Sequence, residues 1–133
     1  MEEEKLLAIL RLQRSKAVGD ILAKKLIVQV GDVAQIFKEK KTTLAKINGI
    51  GNHVLNHLFD TTNILKAEQE FQYIQEKNLQ YSYFLEDDYP RNLLNCIDAP
   101  ILIFRDGSID LANDKIISIV GTRNMSAYGR DFC

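Results

Sequence analysis

The stretch I-I-S-I-V-G-T-R-N-M-S-A-Y-G, residues 116–129, joins a run of β-branched residues to a small loop and the beginning of a helix. The apolar run Ile116–Val120 is typical of a short buried strand. Gly121 ends this run and lets the backbone turn close to a ligand. Ser126 is a suitable N-cap for the helix that follows. The stretch therefore predicts a strand, a loop and a helix in succession.

The loop of this unit has the composition of an anion site. Its amides and those at the helix N-terminus would surround an anion, and Arg123 would add a charge that can bind phosphate through two hydrogen bonds. Ligands of open parallel sheets bind beyond the carboxyl ends of the strands, where this loop would lie. The pattern is neither the dinucleotide fingerprint G-x-G-x-x-G nor a P-loop. The alternative is a structural role, in which Arg123 pairs with a nearby carboxylate.

Two more strand-like runs precede this unit from about residue 79. Tyr81, Tyr83 and Leu85 alternate as in a strand, and I-L-I-F at residues 101–104 forms a second run. Pro90, between them, suits the first position of a short helix. Continuous apolar strands beside helical segments predict a parallel sheet covered on both faces.

Residues 1–78 have the pattern of a helical bundle. Apolar residues recur at helical spacing in six segments. Asp32 and either Thr42 or Thr43 are candidate caps, and the sixth helix can start at Thr61, Thr62 or Asn63. The change of pattern predicts a helical domain over residues 1–78 and an α/β domain over residues 79–133. The expected core positions include Leu6, Leu7, Leu10, Val18, Ile21, Leu22, Leu26, Val33, Ile36, Phe37, Leu44, Ile47, Val54, Leu55, Leu58, Leu65, Phe71 and Ile74.

The helical half contains L-A-K-I-N-G-I-G-N-H-V-L-N-H-L at residues 44–58, which resembles the helix-hairpin-helix motif of DNA-binding proteins. Gly49 and Gly51 would permit a tight turn with exposed amides at the start of the next helix, where a phosphate is favoured. Ile50 would hold the two helices together, and Lys46 would add positive charge. Such contacts reach the DNA backbone and do not read its sequence. A purely structural hairpin and a protein contact fit the same pattern.

Several motifs of the second half together resemble the DNA-processing protein A family, also called DprA or Smf. They are D-Y-P at residues 88–90, D-A-P at residues 98–100, and I-V-G-T-R followed by S and Y-G within residues 119–129. The first half is similar to that family's N-terminal domain, which has a sterile-alpha-motif-like (SAM-like), helix-hairpin-helix character. The resemblance implies an α+β chain: a helical bundle followed by the truncated start of a Rossmann-like domain.

The resemblance implies binding of single-stranded DNA and loading of a RecA-type recombinase onto it, in natural transformation and recombination, without a catalytic step. The DNA-binding or phosphate-binding residues expected on this basis and from the hairpin are Gly121, Thr122, Arg123, Ser126, Gly49, Gly51 and Lys46. One alternative is an interaction or dimerisation module with no DNA binding of its own. Another is an enzyme acting on a nucleotide, but the sequence places no acid–base pair and no nucleophile with a partner.

Composition limits the remaining possibilities. The net charge of -1 and the pI of about 6.1 disfavour a strongly basic nucleic-acid binder but leave room for a local basic patch. Cys96 and Cys133 make neither a disulfide framework nor a zinc site and indicate a reducing cytosol; Cys96 is expected to be buried packing. No apolar run approaches the roughly 18 residues of a membrane helix, so no membrane contact is expected.

No metal or cofactor is expected either. His53 and His57 have the i, i+4 spacing of some zinc sites but lack a third ligand. The acidic residues 86–88 fit a turn before a helix better than a magnesium site. Tyr81, Tyr83 and Phe84 fit base stacking or a small core equally well. The strand over residues 116–120, without neighbouring strands, would expose an apolar edge, so self-association is expected.

Overall fold

The computed structural model describes residues 1–108, 117 and 120–132. These residues form eight helices and one two-stranded sheet, so the α+β class is confirmed. The strand predicted over Ile116–Val120 falls largely outside the described residues. In chain order the elements are α1 (Glu3–Arg14), α2 (Asp20–Val30), α3 (Val33–Ile36), α4 (Lys41–Leu44), α5 (Asn52–Leu58), α6 (Thr62–Lys77), β1 (Gln80–Tyr83), α7 (Arg91–Leu94), β2 (Leu102–Arg105) and α8 (Ala127–Phe132).

Local sequence explains several of the helix ends. Helix α2 ends before Gly31, which has a φ of 89° that glycine readily adopts. Helix α6 ends before Asn78, which also has a positive φ, of 50°. Asp32 caps α3 by accepting a hydrogen bond from the amide of Ala34 at 3.3 Å, as predicted. The prediction that Thr42 or Thr43 caps α4 is wrong, because both residues lie inside that helix.

Helices α1 and α6 pack against each other at the centre of the bundle. Two expected core residues instead point outward: Ile21 is 54% exposed and Leu65 is 63% exposed. The buried stripe of α6 passes through Ala67, and Leu65 lies roughly 200° from it around the helix. The largest fully buried aliphatic side chains are Leu6, Ile9, Leu10, Leu12, Leu26, Ile27, Ile36, Leu44, Leu58, Ile101 and Val33.

The two described strands pair antiparallel, with Tyr81 opposite Phe104 and Tyr83 opposite Leu102. The expectation of a parallel pairing is therefore wrong for these strands. A parallel pair needs a crossover over the sheet. The connection through residues 84–101 instead packs against the helical bundle and returns the chain in the opposite direction.

The sheet shares its core with the helices. Tyr83 and Leu102 belong to the same buried cluster as the α1 and α2 side chains. The amide of Ile101 donates to Asp20 Oδ1 at 2.9 Å, and Lys24 Nζ donates to the carbonyl of Ile97 at 3.2 Å. The boundary expected near residue 78 coincides with the end of α6, and the division into two domains stays a prediction.

Two smaller observations concern exposure and membranes. Cys96 is exposed, so the expectation that it is buried packing is wrong. Among the helices of the described residues, none is both long enough and apolar enough to span a membrane.

Candidate nucleic-acid interface

The turn of the hairpin at residues 44–58 contains one glycine with positive φ. Gly49 has a φ of 96°, a left-handed conformation that side chains rarely adopt. Gly51 has φ -93° and ψ 177°, extended backbone open to any residue, and a Cβ there would meet nothing within 4 Å. The prediction of special backbone angles is therefore confirmed for Gly49 and wrong for Gly51. Ile50 is buried between them, as expected.

Gly51 is nevertheless the N-cap of α5, and it leaves that helix end without a side-chain cap. The backbone amides of the first turn therefore face outward without competition from a capping oxygen. Helix α5 has only seven residues, so its dipole is a modest contribution and neighbouring cations matter more.

Lysines surround the hairpin turn. Lys46, predicted from the sequence, is exposed beside it. Lys25 of α2 donates from Nζ to the carbonyl of Asn48, directly before Gly49. Lys25 could not be predicted as part of the turn, because 23 residues separate it from Asn48 and no local sequence pattern connects the two. Lys41, at the start of α4 and just outside the hairpin, lies with its Nζ 5.2 Å from the centre of the Phe59 ring.

The second candidate site is the loop before α8. Thr122 donates its hydroxyl to the carbonyl of Asn124 at 2.9 Å, which closes the loop on itself. Ser126 accepts from the amide of Gly129 at 3.1 Å, so its predicted role as N-cap of α8 is confirmed. The side chain of Arg123 is exposed at the tip.

The structure does not join these two sites directly. No hydrogen bond or salt bridge between described side chains connects the loop 121–126 with the hairpin turn.

Asp88 and the two histidines of α5 contact neighbouring side chains. Asp88 of the acidic turn accepts from the hydroxyl of Ser82 at 2.7 Å and lies 3.6 Å from Arg105. The rings of His53 and His57 contact each other edge to face at 4.6 Å. Within the described part of the chain, no group of three His, Cys, Asp or Glu side chains could hold a metal ion.

Burial limits the stacking of Tyr81, Tyr83 and Phe84 on nucleic-acid bases. Tyr83 is only 1% exposed, and desolvation, followed by the charges of Asp32 and Glu86, raises its pKa well above the usual range. Tyr83 is therefore a core residue and not a platform for a base. Tyr81 and Phe84 are partly buried against the same core.

Comparisons with known proteins add two findings. Residues 80–133 match the family model described as DNA recombination-mediator protein A. The chain is 26% identical over 118 residues to Protein Smf of Synechocystis sp. (strain ATCC 27184 / PCC 6803 / Kazusa), a match that covers 86% of this chain and 30% of that protein. No solved structure matches the chain.

The matched region contains the loop Gly121–Arg123 and the D-Y-P and D-A-P motifs, whereas the hairpin lies before it. The chain spans about a third of the length of Protein Smf. The two findings point to the same group of proteins that the sequence motifs indicated. Both the family match over residues 80–133 and the likeness to Protein Smf show that the chain is similar to proteins of the DNA recombination-mediator protein A family, DprA/Smf.

Proposed function

We propose that the chain acts in DNA processing and recombination: it binds single-stranded DNA and takes part in loading a RecA-type recombinase onto it during DNA uptake, in the cytoplasm. The observation that carries this proposal is the match of residues 80–133 to a recombination-mediator family, which includes the Gly121-Thr122-Arg123 loop. The family's description names a mediator and no reaction, so the proposed role is binding without catalysis.

The chemistry of the loop supports a phosphate contact. Arg123 is exposed next to an ordered turn, and a guanidinium can give a phosphate two parallel hydrogen bonds. Gly121 and Thr122 would place backbone amides beside it. The net charge of -1 makes general attraction to DNA weak, so affinity must come from such local groups.

The experiment is fluorescence anisotropy of the chain with a labelled single-stranded oligonucleotide over a salt series. Each phosphate that is neutralised contributes about -0.7 to the slope of log affinity against log salt. We expect salt-dependent binding without preference for a sequence. Binding that does not respond to salt would contradict phosphate contact.

Single-residue variants test whether Arg123 contacts the DNA. Arg123→Ala removes one charge-assisted hydrogen-bonding group and is expected to weaken binding about tenfold, equivalent to about 1.4 kcal/mol. The matched control is Arg91→Ala, which removes another exposed arginine from the same half of the chain. Equal affinities of the Arg123 and Arg91 variants would refute the assignment of the loop.

The hairpin is tested in the same assay. Lys46→Ala and Lys25→Ala remove ammonium groups beside the turn, and each is expected to reduce the salt slope as well as the affinity. Lys77→Ala at the end of α6 is the control. Loss of binding only in the Arg123 variant would restrict the DNA contact to the loop.

The second candidate function is an interaction or self-association module. Ile117 and Val120 are each 90% exposed, and exposed apolar residues mark contact surfaces. Concentration-dependent sedimentation without any DNA binding would favour this function. Monomeric sedimentation at high concentration would contradict self-association.

A further inference from the structure

A groove between α1, α3 and α6 lies in the helical half of the chain. It encloses about 300 Å³. Its apolar lining is contributed by Ala8 of α1, Ala34 of α3, and Ile64 and Ala67 of α6, with Phe37 at the end of α3. Alanines on all three helices leave the space open where larger side chains would close it.

One cation stands inside this apolar lining. The guanidinium carbon of Arg11 lies 4.0 Å from the centre of the Phe37 ring, so the stacked pair has a defined geometry. The Nε of Arg11 is buried and has no hydrogen-bond partner. Desolvation lowers the pKa of Arg11 from its usual value. A buried donor without a partner destabilises the folded chain, and an acceptor supplied by a ligand would recover part of that loss.

Of the two cations that line the groove, Lys38 has a carboxylate partner and Arg11 has none among the described residues. Lys38 pairs with Glu4 at 2.7 Å, and that hydrogen bond raises the pKa of Lys38. Among the described residues, no carboxylate forms a salt bridge with Arg11. Glu68, also at the rim, is exposed and repels anions from its own side of the groove.

We propose that this groove binds a peptide segment of a partner protein in which apolar side chains flank one aspartate or glutamate, and that this carboxylate pairs with Arg11. The volume is at the lower limit for a drug-sized ligand, so a few peptide side chains suit it better. Apolar anchors in a groove between helices are a recurrent mode of peptide recognition.

The groove does not suit the DNA of the proposed function. Its lining is mainly apolar, and Glu68 at the rim opposes a phosphate backbone. The peptide site and the DNA site are therefore separate surfaces, and either one can fail its test without the other.

The probe is a library of random peptides displayed on phage, selected against the full chain and against Arg11→Gln. We expect the wild-type selection to enrich peptides with one acidic residue beside leucine, isoleucine or phenylalanine. Each enriched peptide is then synthesised in two forms, one as selected and one with glutamine in place of glutamate. The difference in affinity between the two forms measures the contribution of the carboxylate. We expect at least about tenfold weaker binding on losing either the carboxylate or Arg11, as for one charge-assisted pair.

Two further variants distinguish a loss of binding from a loss of folding. Ala34→Leu fills the groove and leaves Arg11 in place, and it is expected to abolish binding. Lys16→Gln removes an exposed charge elsewhere and is expected to bind as the wild type. Amide shifts in nuclear magnetic resonance spectra should centre on Ala8, Ala34 and Ala67. No enrichment, enrichment without acidic residues, or shifts outside the groove would overturn the proposal.

Discussion

The helical bundle and the segment from Gly121 to Phe132 differ in what their side chains contact. In the bundle, residues such as Leu26 and Ile36 are completely buried. In the segment, Tyr128 is 78% exposed and Phe132 is 80% exposed, and their rings stack mainly on each other at 6.3 Å. The bundle is therefore expected to supply most of the stability, whereas DNA contact is expected both from the exposed segment and from the hairpin turn on the surface of the bundle.

The sharpest test of this comparison is a truncation in the core of the bundle. Leu26→Ala should lower the free energy of unfolding by about 2–5 kcal/mol, because it removes a fully buried side chain and leaves a cavity. Urea unfolding measures the change. Val28→Ala, on the same helix at 66% exposure, should change stability by less than about 0.5 kcal/mol.

The two hairpin glycines give the next largest effect. Gly49→Ala places a side chain at a φ of 96° and should cost about 1–3 kcal/mol. Gly51→Ala introduces no such strain and should stay within about 1 kcal/mol. Thermal unfolding of both variants checks the order, and an equal loss in the two would contradict the assigned backbone conformations.

Alkaline pH tests whether the sheet belongs to the same core. The pKa of Tyr83 is raised in the folded state, so its contribution to stability is complete below the unfolded pKa of about 10 and is lost as pH rises above it. The wild type should lose up to about 1.4 kcal/mol per pH unit in that range through this residue.

The measurement compares the free energy of unfolding near pH 9 with that near pH 11, because these values lie on either side of the usual tyrosine pKa of about 10. Tyr83→Phe should lose less stability between them than the wild type. The exposed control Tyr73→Phe should lose as much as the wild type. Identical pH profiles of all three proteins would show that Tyr83 is not buried in solution.

The smallest expected effect on stability is at the proposed phosphate contact. Arg123→Ala should change the free energy of unfolding by less than about 0.5 kcal/mol, because the side chain is exposed. Its effect on DNA affinity is expected to be larger than its effect on stability. Urea unfolding of the variant measures the first quantity. A large loss of stability would place Arg123 in the structural role that the sequence also allowed.

The sequence alone predicted the features that depend on neighbouring residues. The helical spacing of apolar residues, the cap at Asp32, the N-cap at Ser126 and the turn at Gly49 all depend on contacts within a few positions. The motifs D-Y-P, D-A-P and G-T-R indicated the same family as the later comparison. Turns and caps can be predicted from the sequence because the backbone and capping preferences of a residue act over only a few neighbouring positions.

Only the tertiary structure decided the features that join distant residues. It paired the two strands antiparallel, brought Lys25 to the turn at Asn48, and enclosed Arg11 beside Phe37. It also turned Leu65 outward, since the packing of α1 selects which of several apolar residues on α6 is buried. Each of these contacts depends on how the helices and strands pack, and periodicity within one element carries no information about its neighbours.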